Sequence, residues 1–160
     1  ISGISAMLFY LVVYAAMNLG TFAIISLVEK DEQEVTFRDY QGMASKYPFL
    51  SVAMALFMIS LAGFPPTAGF IAKYGILSAA IAKGYTWLVV IAVLNTLVSF
   101  YYYFRIIVNM YMRNEKENLQ PSTELLTLGL IALFVSAVFF LGITPGYLLE
   151  ITVNVATSAF

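Results

Sequence analysis

Four long apolar segments dominate the chain, at about Ile4 to Val28, Pro48 to Ile81, Trp87 to Met112 and Leu125 to Leu149, with short polar stretches between them. Each exceeds the ~20 residues that an α-helix needs to cross the hydrocarbon core of a bilayer. The pattern predicts an all-α transmembrane fold with four membrane-spanning segments, residues 1–160 forming part of one polytopic domain. The second segment is anomalous. At about 1.5 Å per helical residue it is far longer than one crossing of ~30 Å requires, and Gly63-Phe64-Pro65-Pro66-Thr67 interrupts it. Pro65 and Pro66 have no amide hydrogen, and their rings clash with the preceding turn. The expectation is a discontinuous helix over 48–81, broken at 63–67, with two half-helices meeting at mid-membrane.

Such a break frees carbonyls at the end of the first half and amides at the start of the second, and lipid satisfies neither. Irregular backbone is tolerated in a bilayer only where protein or a water-filled cavity surrounds it. An interior polar site is therefore expected, and Lys73, about two turns beyond the break, is its candidate. It is the one charge between Tyr47 and Ile81, and Gly69 and Pro66, at four and seven residues before it, leave room for water or another helix. Two readings of Lys73 stand. Its stem can lie in lipid with the ammonium reaching headgroups, or it is an interior ionisable group on an ion or proton path. Leu77, Ala80 and Ile81 still follow it, which counts against the first. A lysine inside such a site takes up and releases a proton in response to neighbouring charge.

Further polar positions are fewer and less specific. Tyr10, Tyr14, Asn18 and Thr21 recur at helical spacing on the first segment, and interhelical hydrogen bonding explains them as readily as a proton path. Asn95, Ser99, Tyr102, Ile106 and Asn109 share a face of the third, which ends in an aromatic cluster followed by Arg105. Arg105 is read as contacting headgroups, capping a helix end or organising a polar cavity. Thr144-Pro145-Gly146 bends or ends the last segment, which is otherwise read as packing and lipid contact, with Glu150 beyond it at the interface.

The connections set a topology. Residues 29–47 form a mixed-charge, solvated stretch with a short helix expected near Arg38 to Ser45, and 113–124 is polar with a helix start at Ser122-Thr123-Glu124. Lys83 and Gly84 mark a tight turn between the second and third segments, and Tyr85 and Trp87 are interfacial anchors. With four spans, one side collects Lys30, Arg38, Lys46, Arg113 and Lys116, the other only Lys83. The positive-inside rule then places 29–47 and 113–124 in the cytoplasm and both ends of the chain outward.

Composition narrows the chemistry. The chain is 61% apolar and 11% charged, with a mean hydropathy of +0.88, as expected of a protein embedded in the bilayer. A net charge of −1 with no basic patch argues against nucleic-acid binding. No cysteine and no histidine are present, so this chain itself supplies no Cys or His ligand for an iron–sulfur cluster, haem or zinc, and no nucleophile of that kind. No metal site or catalytic nucleophile is expected, and proton handling must rely on Lys, Asp/Glu, Tyr and water. The chain opens at Ile1, with no initiator methionine and no basic stretch ahead of its first apolar segment, and is expected to be a fragment without a signal peptide.

The run LAGFPPTAGFIAKY, preceded by RDYQGMASKYPFL and followed by NTLVSFYYYFRI, resembles the N-type (mitochondrial subunit 2) antiporter-like membrane subunit of proton-pumping NADH:quinone oxidoreductase, respiratory complex I. The likeness extends over nearly all of the chain and implies the C-terminal part of a fourteen-helix antiporter-like fold. It implies that Lys73 is the proton-translocating lysine of a discontinuous helix, with Gly63, Pro65, Pro66, Thr67 and Gly69 forming the break and cavity. Tyr14, Asn18, Asn95, Ser99, Tyr102 and Arg105 are kept as path or structural residues. Other membrane and peripheral subunits are the implied partners, in a bacterial plasma membrane. No cofactor belongs to this chain, and FMN, iron–sulfur clusters and quinone are expected on those other subunits. The GFPP break followed by GFxxK is shared with subunits of multisubunit sodium/proton antiporters and membrane-bound hydrogenases, some with glutamate at the position of Lys73, so a cation/proton antiporter is the alternative. A scaffold whose lysine is spent on a buried ion pair is the third reading.

Overall fold

A computed structural model describes residues 3–29, 36–114, 121 and 124–159. Ser122 and Thr123 of the expected helix start, and the charged residues Lys30, Asp31, Glu32, Glu34, Glu115, Lys116 and Glu117, lie outside the described residues. The described residues are helical, with no strand among them.

Helix α1 (Gly3–Val28) is apolar over most of its circumference and occupies the middle, packed against four other helices. Phe9, Val13, Met17, Gly20, Ile24 and Leu27 form its most buried face, one residue every turn. A 3₁₀ turn, Phe37–Tyr40, and a single-turn helix α2 (Met43–Lys46) follow. One short helix was expected over this stretch. Gly42 divides it, since its left-handed backbone (φ 68°) reverses the chain between the two pieces.

Helix α3 (Pro48–Ala62) starts with a proline, whose missing amide costs nothing at a first turn, and ends at Gly63. Gly63 adopts φ 85°, the left-handed conformation that closes a helix with least strain, and its amide bonds back to Ile59 and Ser60. Helix α4 (Ala68–Ala82) is capped by Thr67, whose hydroxyl accepts from the amide of Phe70. Fifteen residues each give α3 and α4 about 22 Å, too short to cross ~30 Å singly. Helices α1, α5 (Thr86–Met112) and α6 (Leu125–Ile143) are each long and apolar enough to cross alone.

The fourth apolar segment differs from its expected extent. Helix α6 stops at Ile143 rather than near Leu149, and a separate helix α7 (Pro145–Ala159) begins at the proline. Pro145 cannot continue the α6 hydrogen-bond ladder and disfavours helical backbone at Thr144 before it. Helix α7 lays Leu148, Leu149, Thr152 and Ala156 inward against α1 and α6, while Glu150 is exposed.

The polar stretch 36–47 docks on the far end of α5. The amide of Gly42 donates to the carbonyl of Asn109 at 3.1 Å, and the Arg105 guanidinium stacks 4.6 Å from the centre of the Phe37 ring. Met43, Tyr40 and Met110 are buried beneath these contacts. The stretch 36–47 and the end of α5 therefore occupy the same end of the helix bundle.

Two consequences are measurable. A β-carbon on Gly20 would overlap the ring of Phe57, which is how α1 and α3 approach so closely. Gly20→Ala should lower stability by about 1–3 kcal/mol, read as a lower thermal midpoint of the full-length protein in detergent. Gly20→Ala combined with Phe57→Leu should recover most of it; an unchanged midpoint in the single variant would refute the contact. At the docked loop, burial and the adjacent Asp39 carboxylate push the Tyr40 phenol up from its ordinary 10 to about 12. The folded state holds this proton more tightly than the unfolded one, so docking is undiminished below pH 10 and weakens as pH rises to about 12. Proteolysis of the loop should accelerate over that window, and Tyr40→Phe, which has nothing to ionise, should abolish the acceleration.

Candidate functional site

The site is built where α3 ends and α4 begins. Five residues, Gly63 to Thr67, join the two helices, and the Pro65–Pro66 peptide is cis. Helix termination leaves the last carbonyls of α3 without intrahelical donors. Lys73, one turn past Gly69 on α4, turns back to supply them: its Nζ donates to the carbonyl of Leu61 at 2.7 Å and to that of Ala62 at 3.4 Å. The stem of Lys73 lies against Gly63, where a β-carbon would sit 3.2 Å from Cδ. A cation at this place also meets the negative end of the α3 dipole. Lys73 is half-buried, and no carboxylate lies in α1, α3, α4 or α5 to pair with it.

The start of α4 is satisfied in turn. The amide of Gly69 donates to the hydroxyl of Ser60 at 3.1 Å, and the Thr67 hydroxyl donates to the carbonyl of Phe64 at 2.7 Å. Gly69 is packed so tightly on α3 that a β-carbon there would overlap the carbonyl of Ser60. From the other side, Gly142 of α6 covers the break, with its own β-carbon position 3.0 Å from the amide nitrogen of Ala68 and 3.3 Å from the carbonyl of Pro66. The break is thus enclosed by protein on two sides.

On its open side Lys73 faces a cavity of about 250 Å³ between α1, α4 and α5. Tyr10, Tyr14 and Met17 from α1, Leu61 from α3, and Asn95, Thr96, Ser99, Tyr102 and Tyr103 from α5 line it with Gly69 and Lys73. The tyrosines pair: Tyr10 and Tyr14 stack at 5.4 Å between ring centres, and Tyr102 and Tyr103 tilt together at 4.6 Å. The Ser99 hydroxyl donates to the Thr96 carbonyl at 2.6 Å. A volume of this size has room for on the order of eight waters at ~30 Å³ each, with several polar partners among its walls. A larger cleft of about 540 Å³ lies behind the break between α3 and α6, but it carries no charged side chain and its lining is mostly aliphatic and aromatic.

Of the residues singled out from the sequence, Lys73, Gly69, Tyr14, Asn95, Ser99 and Tyr102 share one cavity. Gly63, Pro65, Pro66 and Thr67 form the break itself, with Pro66 and Thr67 lining the apolar cleft. Two do not join them. Asn18 donates from Nδ2 to the carbonyl of Tyr14 on its own helix at 2.8 Å, so its amide is spent locally. Arg105 follows the cavity residue Tyr103 by two positions but does not line the cavity; it is stacked on Phe37 and anchors the docked loop. Ser60, Thr96, Tyr103 and Gly142 were not anticipated. Thr96 and Tyr103 flank Asn95 and Tyr102 and share their helix face at the next step; Ser60 and Gly142 carry no signal in periodicity, because what matters is which backbone they touch.

Comparison with known proteins agrees with this architecture. The family described as NADH:quinone oxidoreductase/Mrp antiporter, TM, matches residues 1–99. NADH-quinone oxidoreductase subunit N of Trichlorobacter lovleyi is 46% identical over 152 residues, covering 93% of this chain and 31% of that protein. Subunit N 1 of Chloroherpeton thalassium is 43% identical over 153 residues, covering 94% of this chain and 32% of that protein. The chain therefore spans about a third of the length of these relatives. Among solved structures, respiratory complex I from Thermus thermophilus with bound Aureothin contains a chain that superposes with a TM-score of 0.83 at 29% identity, over 92% of this chain and 34% of that one. An all-helical membrane fold whose apolar helices match these proteins along almost its whole length leaves one assignment: the chain belongs to the NADH:quinone oxidoreductase/Mrp antiporter transmembrane family.

Proposed function

We propose that this chain is the C-terminal part of an N-type, antiporter-like subunit that moves protons across a bacterial plasma membrane as part of an NADH:quinone oxidoreductase. The subunit N relatives support the assignment of the complex. One observation carries the mechanism: an amine placed at a break in the membrane-embedded backbone, with carbonyls on one side of it and a polar cavity on the other. Lys73 is the relay in this reading. As an ammonium it rests on the Leu61 and Ala62 carbonyls. Approach of a positive charge from the side of the preceding helices drives its proton into water held by Tyr10, Tyr14, Asn95, Ser99 and Tyr102. Departure of that charge lets it reload.

Coupling is electrostatic, so this chain needs no redox centre of its own. FMN, iron–sulfur clusters and quinone belong to partner subunits in this reading, and the charge that answers Lys73 comes from outside the segments α1, α3, α4 and α5. By the positive-inside rule the docked loop end of the bundle, with 29–47 and 113–124, is cytoplasmic, and the cavity side of Lys73 opens outward. The family description includes multisubunit antiporters, so a sodium/proton exchanger using the same break is the competing function.

Substitution of Lys73 tests the relay in the assembled complex, in sealed inside-out vesicles. Lys73→Ala should cut the rate of proton uptake about tenfold or more, with quinone reduction slowed because the two are coupled. Lys73→Arg keeps the charge but cannot release a proton, and should be as impaired as Lys73→Ala; a mere ion-pairing or capping lysine would be largely rescued by arginine. Normal pumping in Lys73→Ala would end the relay reading. Transport that requires sodium and persists without NADH would assign the site to exchange instead.

A further inference from the structure

Two ties cross the break, and they lie on adjacent residues. Ser60 accepts from the amide of Gly69, and the carbonyls of the next two residues, Leu61 and Ala62, accept from Lys73, one turn beyond Gly69. The other hydrogen bonds near the break are local to one half or the other: Gly63 and Phe64 return to Ile59 and Ser60, while Thr67 links to Phe64 and Phe70. Ser60 is fully buried, so its hydroxyl has no solvent to bond if the Gly69 amide moves away. Because Gly69 has no β-carbon, the first turn of α4 sits directly on the Ser60 backbone.

We infer that Ser60 is the positioning residue for Lys73, its hydroxyl fixing the first turn of α4 against the end of α3 so that the Lys73 amine is held on the carbonyls of Leu61 and Ala62. A hydrogen bond of 2.7 Å tolerates a few tenths of an ångström, and Lys73 extends from the turn that Ser60 holds. Releasing Gly69 lets that turn drift and takes Nζ off its acceptors, leaving the amine loose in the cavity. A misplacement of about 1 Å at a proton-transfer group costs as much as a hundredfold in rate. This rests on the relay reading of Lys73 for its functional consequence, but not for its geometry.

The geometry is tested in the full-length subunit within the assembled complex, by acylating lysines with a small membrane-permeant amine reagent and reading each site by mass spectrometry. Exposed Lys83, just past the opposite end of α4, serves as the internal reference. In Ser60→Ala the ratio of Lys73 to Lys83 labelling should rise about three- to tenfold, the population change expected for one lost hydrogen bond. Ser60→Thr, which keeps the hydroxyl, should return the ratio toward wild type. Ser60→Cys, similar in size but a poor acceptor, should behave as Ser60→Ala and replaces it if the alanine variant does not assemble. An unchanged ratio in Ser60→Ala or Ser60→Cys, or a rise in Ser60→Thr as large as in Ser60→Ala, overturns the inference. Pumping separates the two proposals. Ser60→Ala should pump several-fold more slowly than wild type and add nothing to Lys73→Ala. Normal pumping in Lys73→Ala defeats the relay while the labelling still decides the role of Ser60; impaired Lys73→Ala with unchanged labelling in Ser60→Ala defeats the positioning role alone.

Discussion

Backbone freed inside a membrane must find partners in the protein, and the hydrogen bonds from Lys73 to the carbonyls of Leu61 and Ala62 are how this chain meets that demand. An unsatisfied carbonyl in hydrocarbon costs several kcal/mol, whereas a charge-assisted hydrogen bond contributes roughly 1.5–3 kcal/mol. Without that cap, the interruption at Gly63 to Thr67 would be a defect. With it, the group that holds the two half-helices together is also the one ionisable amine on the embedded stretch. Structure and chemistry are therefore not separable at Lys73: any step that removes the amine from α3 must bring water to those carbonyls, and the polar cavity beside it is where such water is available.

That cap works only because three glycines bring backbone to backbone. Gly63 lets the lysine stem pass over the end of α3, Gly69 lets α4 press on the carbonyl of Ser60, and Gly142 lets α6 close over Pro66 and Ala68. A methyl group at Gly69 or Gly142 meets atoms that are mostly backbone and cannot step aside, and one at Gly63 meets the stem of Lys73. Close approach of small residues is the usual way membrane helices pack where no hydrophobic driving force distinguishes lipid from leucine. Here it also brings α6 against the break, beside the apolar cleft that Pro66 and Thr67 line. The opposite side is left to tyrosines, serine, threonine and asparagine, so water-binding groups lie on the side that Lys73 faces.

Much of this was legible in the chain. Length and apolarity located α1, α5 and α6 to within a residue or so at most ends, and the proline pair located the break, because both signals are local: one is a run, the other a missing amide. The lysine stood out for the same reason, as a lone charge in a run of apolar residues. What could not be read was the pairing across the break. Ser60 looks like any small residue in a transmembrane helix until the turn that folds α4 back onto α3 is known, and Gly142 until α6 is seen to cross there. For Asn18 and Arg105, kept as path or structural residues, spacing could not choose between the two. Their spacing put them on polar faces, but an asparagine can spend its amide on its own helix, and an arginine near a helix end can reach a phenylalanine on a neighbouring loop. The end of α6 was misplaced because the apolar run continues to Leu149 past Thr144-Pro145-Gly146, which was read as bending or ending the segment, although a proline starts a helix as readily as it ends one.

The chemistry of the cap also constrains what can replace it. The end of α3 presents carbonyl oxygens and the negative pole of its dipole, so it accepts a cation or a neutral donor and repels an anion. A lysine satisfies it as an ammonium, and as a neutral amine it still has hydrogens to donate. A glutamate at the position of Lys73 could hold the same carbonyls only while protonated; once ionised it would be driven off them. The two residues would thus run in opposite senses. A lysine relay is held most firmly when loaded with its proton as a cation, and a carboxyl relay is held when loaded as a neutral acid and expelled with a negative charge when empty. On the proposed relay reading, the loaded state is in both cases the more firmly capped one, so protonation and the geometry of the break would be coupled at the broken helix.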